Sequence, residues 1–374
     1  MNKTSIEWTD YTSNLIRYRD PEGRSVHGCI KVSAGCANCY ASAWSARGLT
    51  GERDGAFTAK RQATLTPYFD DAEAQRILRT KVRGKRVFVG DMTDVFGEWV
   101  TDDTLDQLFA IFALRQDLIF QVLTKRPERM RTYLTKGPVK RYWNGLLAEW
   151  RELEDMPRES AIAVASAVMS ITRDGWIQPV KPTPWPLPNV WLGVSVENQE
   201  AADERIPHLL ATPAAVRFLS CEPLLEPVDL EPWLRRVATS GPGWRMTGGS
   251  AMAIADIVLD WVIVGGESGP GARPCDVGWI RDIVGQRRAA EVPVFVKQLG
   301  AWGPCQKLPS GVGCFVRAGD VVLAPDGKAW PVRADLTCEG EGMGAAYRKG
   351  VYRDRKGGDM SEWPEDLWVR EFPS

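Results

Sequence analysis

A chain of 374 residues with 44% hydrophobic residues can bury a large core, and its 47 Lys and Arg against 48 Asp and Glu leave a formal charge of -1. Global charge therefore gives no reason to expect a nucleic-acid or membrane partner. The opening MNKTSIEWTD lacks the apolar run of a signal peptide, and no segment approaches the ~18 uninterrupted apolar residues of a membrane helix, so a cytoplasmic protein without a membrane partner is expected.

In chain order, Ser5 to Thr9 reads as a short strand, followed by a long polar segment. His27 to Tyr40 then places Cys29, Cys36 and Cys39 in a C-x6-C-x2-C loop, and Ala41 to Arg47 has a helical composition. From Arg76 to Arg86 the chain carries Arg76, Arg79, Lys81, Arg83, Lys85 and Arg86 with no acid. Seven basic residues between Thr124 and Trp143 face only Glu128. Such runs offer a surface to a polyanion, although a solvated basic face is their commoner meaning.

Arg86 to Gly90 (RVFVG) predicts a buried strand that runs into the polar Asp91 to Asp94. Thr101 with Asp102 and Asp103 predicts a helix start, and Leu105, Leu108, Phe109 and Phe112 give it an i, i+3, i+4, i+7 face. Leu118 to Leu123 is the next strand. Residues 137 to 189 hold seven prolines, five of them from Pro179 to Pro188, and predict an insertion with helix in its middle and a Pro-rich end on the surface.

Strands follow at Val190 to Val196, Val216 to Ser220, Trp261 to Gly266 and Val292 to Lys297. Between them come a helix with Ala201, Ala202, Ile206, Leu209 and Leu210 inward, a Gly- and Trp-rich insertion at about 231 to 255, and a helix capped by Asp276. Alternating strands and helices favour parallel pairing, and nearly every strand exits into polar or glycine-rich sequence, as at the mouth of a (β/α) barrel. The expectation is an α/β fold, a partial or complete barrel over residues 1 to 300 with the two insertions, then an irregular extension over 301 to 374.

In a reducing compartment a tight cysteine cluster points to metal binding or redox chemistry rather than a disulfide. Thiolates suit zinc or iron-sulfur clusters. Three without a fourth nearby favour a 4Fe-4S cluster with one iron open, because a structural zinc site closes with four protein ligands. The alternative is zinc with His27 as the fourth ligand, in a nucleic-acid-binding or phage accessory protein.

The ordered pieces SIEWTD, CIKVSAGCANCYA, VFVGDMTDVF, FQVLTKRPERM, VWLGVSVENQE, RFLSCEPLL, WVIVGGESGPGARP and VPVFVKQLG resemble the phage-type three-Cys-motif proteins over roughly residues 4 to 302. Through them the chain is similar to the radical S-adenosylmethionine (SAM) superfamily. The first cysteine gap of six departs from that superfamily's usual three, and Asn38 stands where an aromatic residue usually precedes the third cysteine.

The resemblance implies a barrel of the radical SAM type, with Cys29, Cys36 and Cys39 on three irons and SAM on the fourth. Reductive cleavage would give a 5'-deoxyadenosyl radical acting on a small-molecule or nucleic-acid substrate, with a separate electron donor. It places Gly90, Asp91 and Asp94 at the SAM amino group, Lys125 or Arg126 at its carboxylate, Ser195, Glu197 and Asn198 at the ribose, and Gly265, Gly266 and Glu267 at the adenine or substrate. Glu222, at another strand end, joins the cofactor-binding set. For Glu222 and Glu267 a plain salt bridge or helix cap weighs equally. Cys305, Cys314 and Cys338 offer a distant second set of thiols, and His208, Cys221 and Cys275 have no assigned role.

Overall fold

The computed structural model describes residues 1–48, 55–136, 169–171, 177–179, 185–234, 244–247, 250–253, 259–269, 271–304, 321–323, 329–331, 347–349, 356 and 358–373. The fold is mixed α/β, built on a sheet of eight strands. They are β1 (Asn2–Lys3), β2 (Tyr11–Ser13), β3 (Arg86–Val89), β4 (Ile119–Thr124), β5 (Val190–Ser195), β6 (Val216–Cys221), β7 (Trp261–Gly265) and β8 (Val294–Gln298). Spatial order follows chain order from β1 to β8, without the reversal of a doubly wound sheet. β1 runs antiparallel to β2, whereas β2, β3, β4 and β5 pair in parallel, as do β7 and β8.

The chain divides into two compact units, one of residues 1–195 and 204–218 and the other of residues 196–203 and 219–374. In the first, the predicted strands from Arg86 and Leu118 form within a residue or two of their expected bounds. Their runs of Val, Ile, Phe and Leu suit strands covered on both faces. In-register Val87, Phe120 and Val190 lie on one face, where Phe120 stacks on Phe112 at 4.4 Å.

Phe112 belongs to α3 (Asp102–Leu114), which follows α1 (Tyr40–Arg47) and α2 (Asp71–Arg79). Thr101 caps α3 by accepting from the Thr104 amide at 3.2 Å, and Leu105, Leu108, Phe109 and Phe112 are all buried as expected. Ala110, Ile111 and Ala113 are buried as well, because α2 packs on α3 from another side. α4 (Pro127–Thr135) completes this layer, with the Tyr133 hydroxyl donating to the buried Asp106 carboxylate at 2.7 Å.

Three local expectations change. Ser5 to Thr9 is a turn, not a strand: it links β1 to β2 and carries Trp8 inward onto Phe88, 4.8 Å between rings. The polar segment before the cysteines contributes Ile16–Arg19 and Ser25–Val26 to a small antiparallel sheet completed by Thr66–Phe69 from after the loop, with Ile16 and Tyr18 buried between the outward Arg17 and Arg19. The Pro-rich stretch ends inward: Trp185 meets Phe109 at 6.3 Å, Leu187 is buried, and the Asn189 amide donates to the Phe112, Arg115 and Leu118 carbonyls. The helix expected in the middle of that insertion lies outside the described residues, apart from the short pairing of Met169–Ile171 with Ile177–Pro179.

In the second unit β7 and β8 pair in parallel and are buried except at the half-buried Lys297, and α6 (Val277–Ala289) begins at Asp276, which accepts from the Gly278 amide at 2.7 Å. Ile280, Ile283 and Val284 are buried, and Trp279 is half-buried. The 231–255 stretch contributes Glu231–Leu234 as a helical turn and a hairpin of Trp244–Thr247 with Ser250–Ala253. The extension holds a four-stranded antiparallel sheet of Trp302–Pro304, Tyr347–Lys349, Val321–Leu323 and Ala329–Pro331, which the sequence did not signal. Between β5 and β6, α5 (Gln199–Leu210) buries Ala201, Ala202, Ile206 and Leu209, while Leu210 is half-buried. Among the described residues, no helix is long and apolar enough to cross a membrane.

Gly193 in β5 sits against the Phe218 ring so closely that an added Cβ would lie 2.5 Å from it. Gly193→Ala should therefore cost about 1–3 kcal/mol through overpacking, seen as a lower urea midpoint with an unchanged slope.

Candidate metal centre

The cysteine loop is tied to the carboxyl ends of the neighbouring parallel strands β3 and β4. Gly90 turns the chain out of β3 at φ +82°, and a Cβ there would meet Val95 at 2.7 Å. Its amide still bonds to the Ser13 carbonyl, at 2.9 Å, so the turn begins on the sheet. Asp91 is then held by Asn14 at 2.6 Å, and burial raises its carboxyl above the usual range. The Asp91 carbonyl accepts from the Tyr40 hydroxyl at 2.7 Å, which fixes the residue just after Cys39.

A second tie is a chain of hydroxyls. The Trp99 indole donates to the Tyr18 hydroxyl at 2.6 Å, Tyr18 meets Thr93 at 2.8 Å, and Thr93 donates to the Gly28 carbonyl at 2.7 Å. With the indole as donor and Gly28 as acceptor, each oxygen in the chain both gives and receives. Burial pushes the Tyr18 phenol well up, so it stays protonated for this task.

The third tie is ionic. Asp94 accepts from the Thr124 hydroxyl at 2.7 Å, the Phe96 and Lys125 amides at 3.0 Å each, and Arg126 Nη1 at 3.0 Å. Arg126, with only 5% of its side chain exposed, also donates to Glu98 at 2.9 Å and to the Ile30 carbonyl at 3.1 Å. Its guanidinium lies 4.7 Å from the Trp99 ring centre. The Asp94 carboxylate and the Arg126 fork are thus engaged in building the loop. Lys125 beside them points its amide at Asp94, and its ammonium has no partner among the described residues.

The three thiols are free and half-buried. Cys29 and Cys39 rest on one apolar cluster of Ala41, Phe57 and Met92. Burial, with the Asp94 charge nearby, pushes the Cys29 thiol up to about 12, opposed by the Arg126 charge and a hydrogen bond from the Asp94 amide. Cys36 ends a turn of 3-10 helix, Ala34–Cys36, with the Ser33 hydroxyl 3.9 Å from its sulfur, and Cys39 precedes α1.

Among the described residues, no three His, Cys, Asp or Glu side chains converge into a ready ligand group. His27 is buried and pulled down to about 4 by that burial and by Arg17 and Arg61, so it is neutral near pH 7, and it does not complete such a group with the cysteines. The donor set nonetheless suits an iron-sulfur cluster: three soft donors on one loop, two of them on the same apolar floor, and an amide hydrogen bond to sulfur. Metal binding would displace the Cys29 proton that burial retains.

Ser195 is buried at the end of β5, its carbonyl accepting from Arg205 at 2.9 Å. The other candidates belong to the second unit. Glu197 is 1% exposed, and Asn198 caps α5 by accepting from the Ala201 amide at 3.0 Å. Glu222 pairs with Lys297 at 2.6 Å, and Glu267 takes Arg273 through both oxygens, at 2.7 and 2.9 Å. The salt-bridge alternative for these two glutamates is what the geometry contains. The Gly265 carbonyl accepts from Leu224 at 2.9 Å and the Gly266 amide donates to Gln298 at 3.0 Å.

Cys221 and Cys275 are buried, with Cys221 pushed up to about 12 by that burial, and His208 is half-buried on α5. Cys305, Cys314 and Cys338 lie outside the described residues.

The basic run before β3 is largely neutralised in place. Arg76 pairs with Glu73, Arg83 with Asp117, and Lys85 and Arg86 with Asp10. In the second run, Arg126 is consumed by the cysteine loop and Arg129 pairs with Asp102.

Fold and site together define a mixed α/β protein whose three-cysteine loop is fastened to the carboxyl ends of two adjacent parallel strands. The chain belongs to the family described as protein of unknown function (DUF5131), whose model matches residues 3–357. No curated protein and no solved structure matches it.

Thr93→Val removes the donor to Gly28 and breaks the chain from Trp99. A loss of about 1–3 kcal/mol is expected in denaturant unfolding, with faster proteolytic cleavage in the segment from Gly28 to Tyr40.

Proposed function

We propose that this protein is a radical SAM-type enzyme that holds a 4Fe-4S cluster on Cys29, Cys36 and Cys39 and acts on a small-molecule or nucleic-acid substrate, with electrons from a separate donor. The observation that carries this reading is the fastening of a loop bearing three free, half-buried thiols to the carboxyl ends of β3 and β4 by Tyr40, Thr93 and Arg126. Sequential strand order supports the barrel that this reading requires, since carboxyl ends of successive parallel strands then share one edge.

When bound, the cluster supplies the electron that cleaves SAM. The chain supplies placement. Tyr40 and Thr93 fix the backbone on either side of the thiols, and the apolar floor of Ala41, Phe57 and Met92 limits water at Cys29 and Cys39. Lys125 is the cation at this edge that is suited to a carboxylate, because Arg126 is already committed to Asp94, Glu98 and Ile30.

Anaerobic reconstitution with iron and sulfide should give roughly four irons per chain and a broad absorbance near ~400 nm. Replacing Cys29, Cys36 and Cys39 together by Ala should abolish both. Stoichiometric zinc with no iron uptake would favour a zinc-stabilised loop and overturn the proposal.

A further inference from the structure

We propose that Arg126, oriented by Asp94, is a positioning residue that fixes Cys29 as the anchored thiol of the three and sets the charge around it. The inference rests on the cluster reading above.

The anchor is asymmetric. Arg126 reaches across 96 residues of sequence to the Ile30 carbonyl, in the residue bonded directly to Cys29. The other ties differ in kind: Lys31 reaches the Ala37 carbonyl at 2.8 Å and the Ser33 hydroxyl lies 3.9 Å from the Cys36 sulfur, both within the loop, while the Tyr40 hydroxyl just after Cys39 reaches the Asp91 carbonyl through a neutral bond. Among the ties described, the one beside Cys29 is the one that brings a buried charge from the end of β4 to the loop.

Geometry also makes Arg126 hard to replace. Its three nitrogens go to three different groups, Glu98, Asp94 and Ile30, while its guanidinium carbon lies over the Trp99 ring at 4.7 Å. A lysine carries the charge but cannot divide it three ways in this fixed fork. Asp94 in turn is held by Thr124 and two backbone amides, so the guanidinium cannot swing without unmaking the exit from β4.

The charge has a sign that can be read. A positive group beside a cluster stabilises its more negative, reduced form, and a carboxylate does the opposite. Arg126→Gln should move the midpoint potential of the reconstituted cluster to more negative values, and Asp94→Asn should move it to more positive values. General damage to the loop would move both variants the same way, and equal or unmoved potentials would overturn the charge role.

The anchoring role is tested without metal. In the iron-free protein, Arg126→Gln should raise backbone amide hydrogen exchange around Cys29, from Gly28 to Lys31, several-fold, followed by peptide mass spectrometry, while the segment from Cys36 to Tyr40 changes little; Arg126→Lys should fall between. A uniform rise along the whole loop, or none, overturns it. This arm needs no iron, so failure of the wild-type protein to take up iron would sink the cluster reading and leave the exchange pattern to decide the anchoring.

Discussion

The ion pair between Asp94 and Arg126 is buried at the junction of three segments that are far apart in sequence: the exit from β3, the end of β4 and the cysteine loop. Taking two charges from water is costly, and their mutual attraction alone does not return that cost. Here the remaining capacity of both groups is filled, Asp94 by a hydroxyl and two amides, Arg126 by a second carboxylate, a carbonyl and an aromatic face. Every one of these contacts fixes the pair's orientation, and through Ile30 that orientation bears on where the loop runs.

Around this pair the neutral ties divide the labour. Hydroxyls of Tyr18 and Thr93 carry the indole of Trp99 to the backbone before Cys29, and Tyr40 ties the backbone after Cys39 to Asp91. The loop is thus held at both ends and near Cys29 by partners on the sheet edge. A loop built this way keeps its entry and exit fixed. In the second unit, charged groups at strand ends are instead matched to one another, Glu222 with Lys297 and Glu267 with Arg273.

The buried strands were legible because a strand covered on both faces is a run of β-branched and aromatic residues, as in Val87–Val89, Val190–Val194 and Trp261–Val264. Ile16–Arg19 escaped because it shows only two inward residues between arginines, too short an alternation to stand out from polar sequence. Trp8 looked like strand and is the plug of a turn, a distinction that depends on Phe88 some 80 residues away and on nothing local. The cysteines announced themselves by spacing. Their support did not, since Gly28 finds Thr93 across 65 residues and Ile30 finds Arg126 across 96. Asp94 and Arg126 were singled out for the polar positions they occupy, and the structure gives both a task within the protein itself. The small antiparallel strands of the extension were not read because none of them is longer than three residues.

The outer edge of β8 is covered by the chain's own later residues. The Val296 amide donates to the Val369 carbonyl at 2.8 Å, Phe295 bridges to Arg370, and Glu371 accepts from the Val294 amide at 3.0 Å while its carbonyl takes the Trp261 indole at 2.8 Å. An uncovered strand edge invites pairing with another chain. During synthesis that edge therefore lacks this cover until Val369–Glu371 have been made, which ties the protection of β8 to residues that leave the ribosome well after the strand itself.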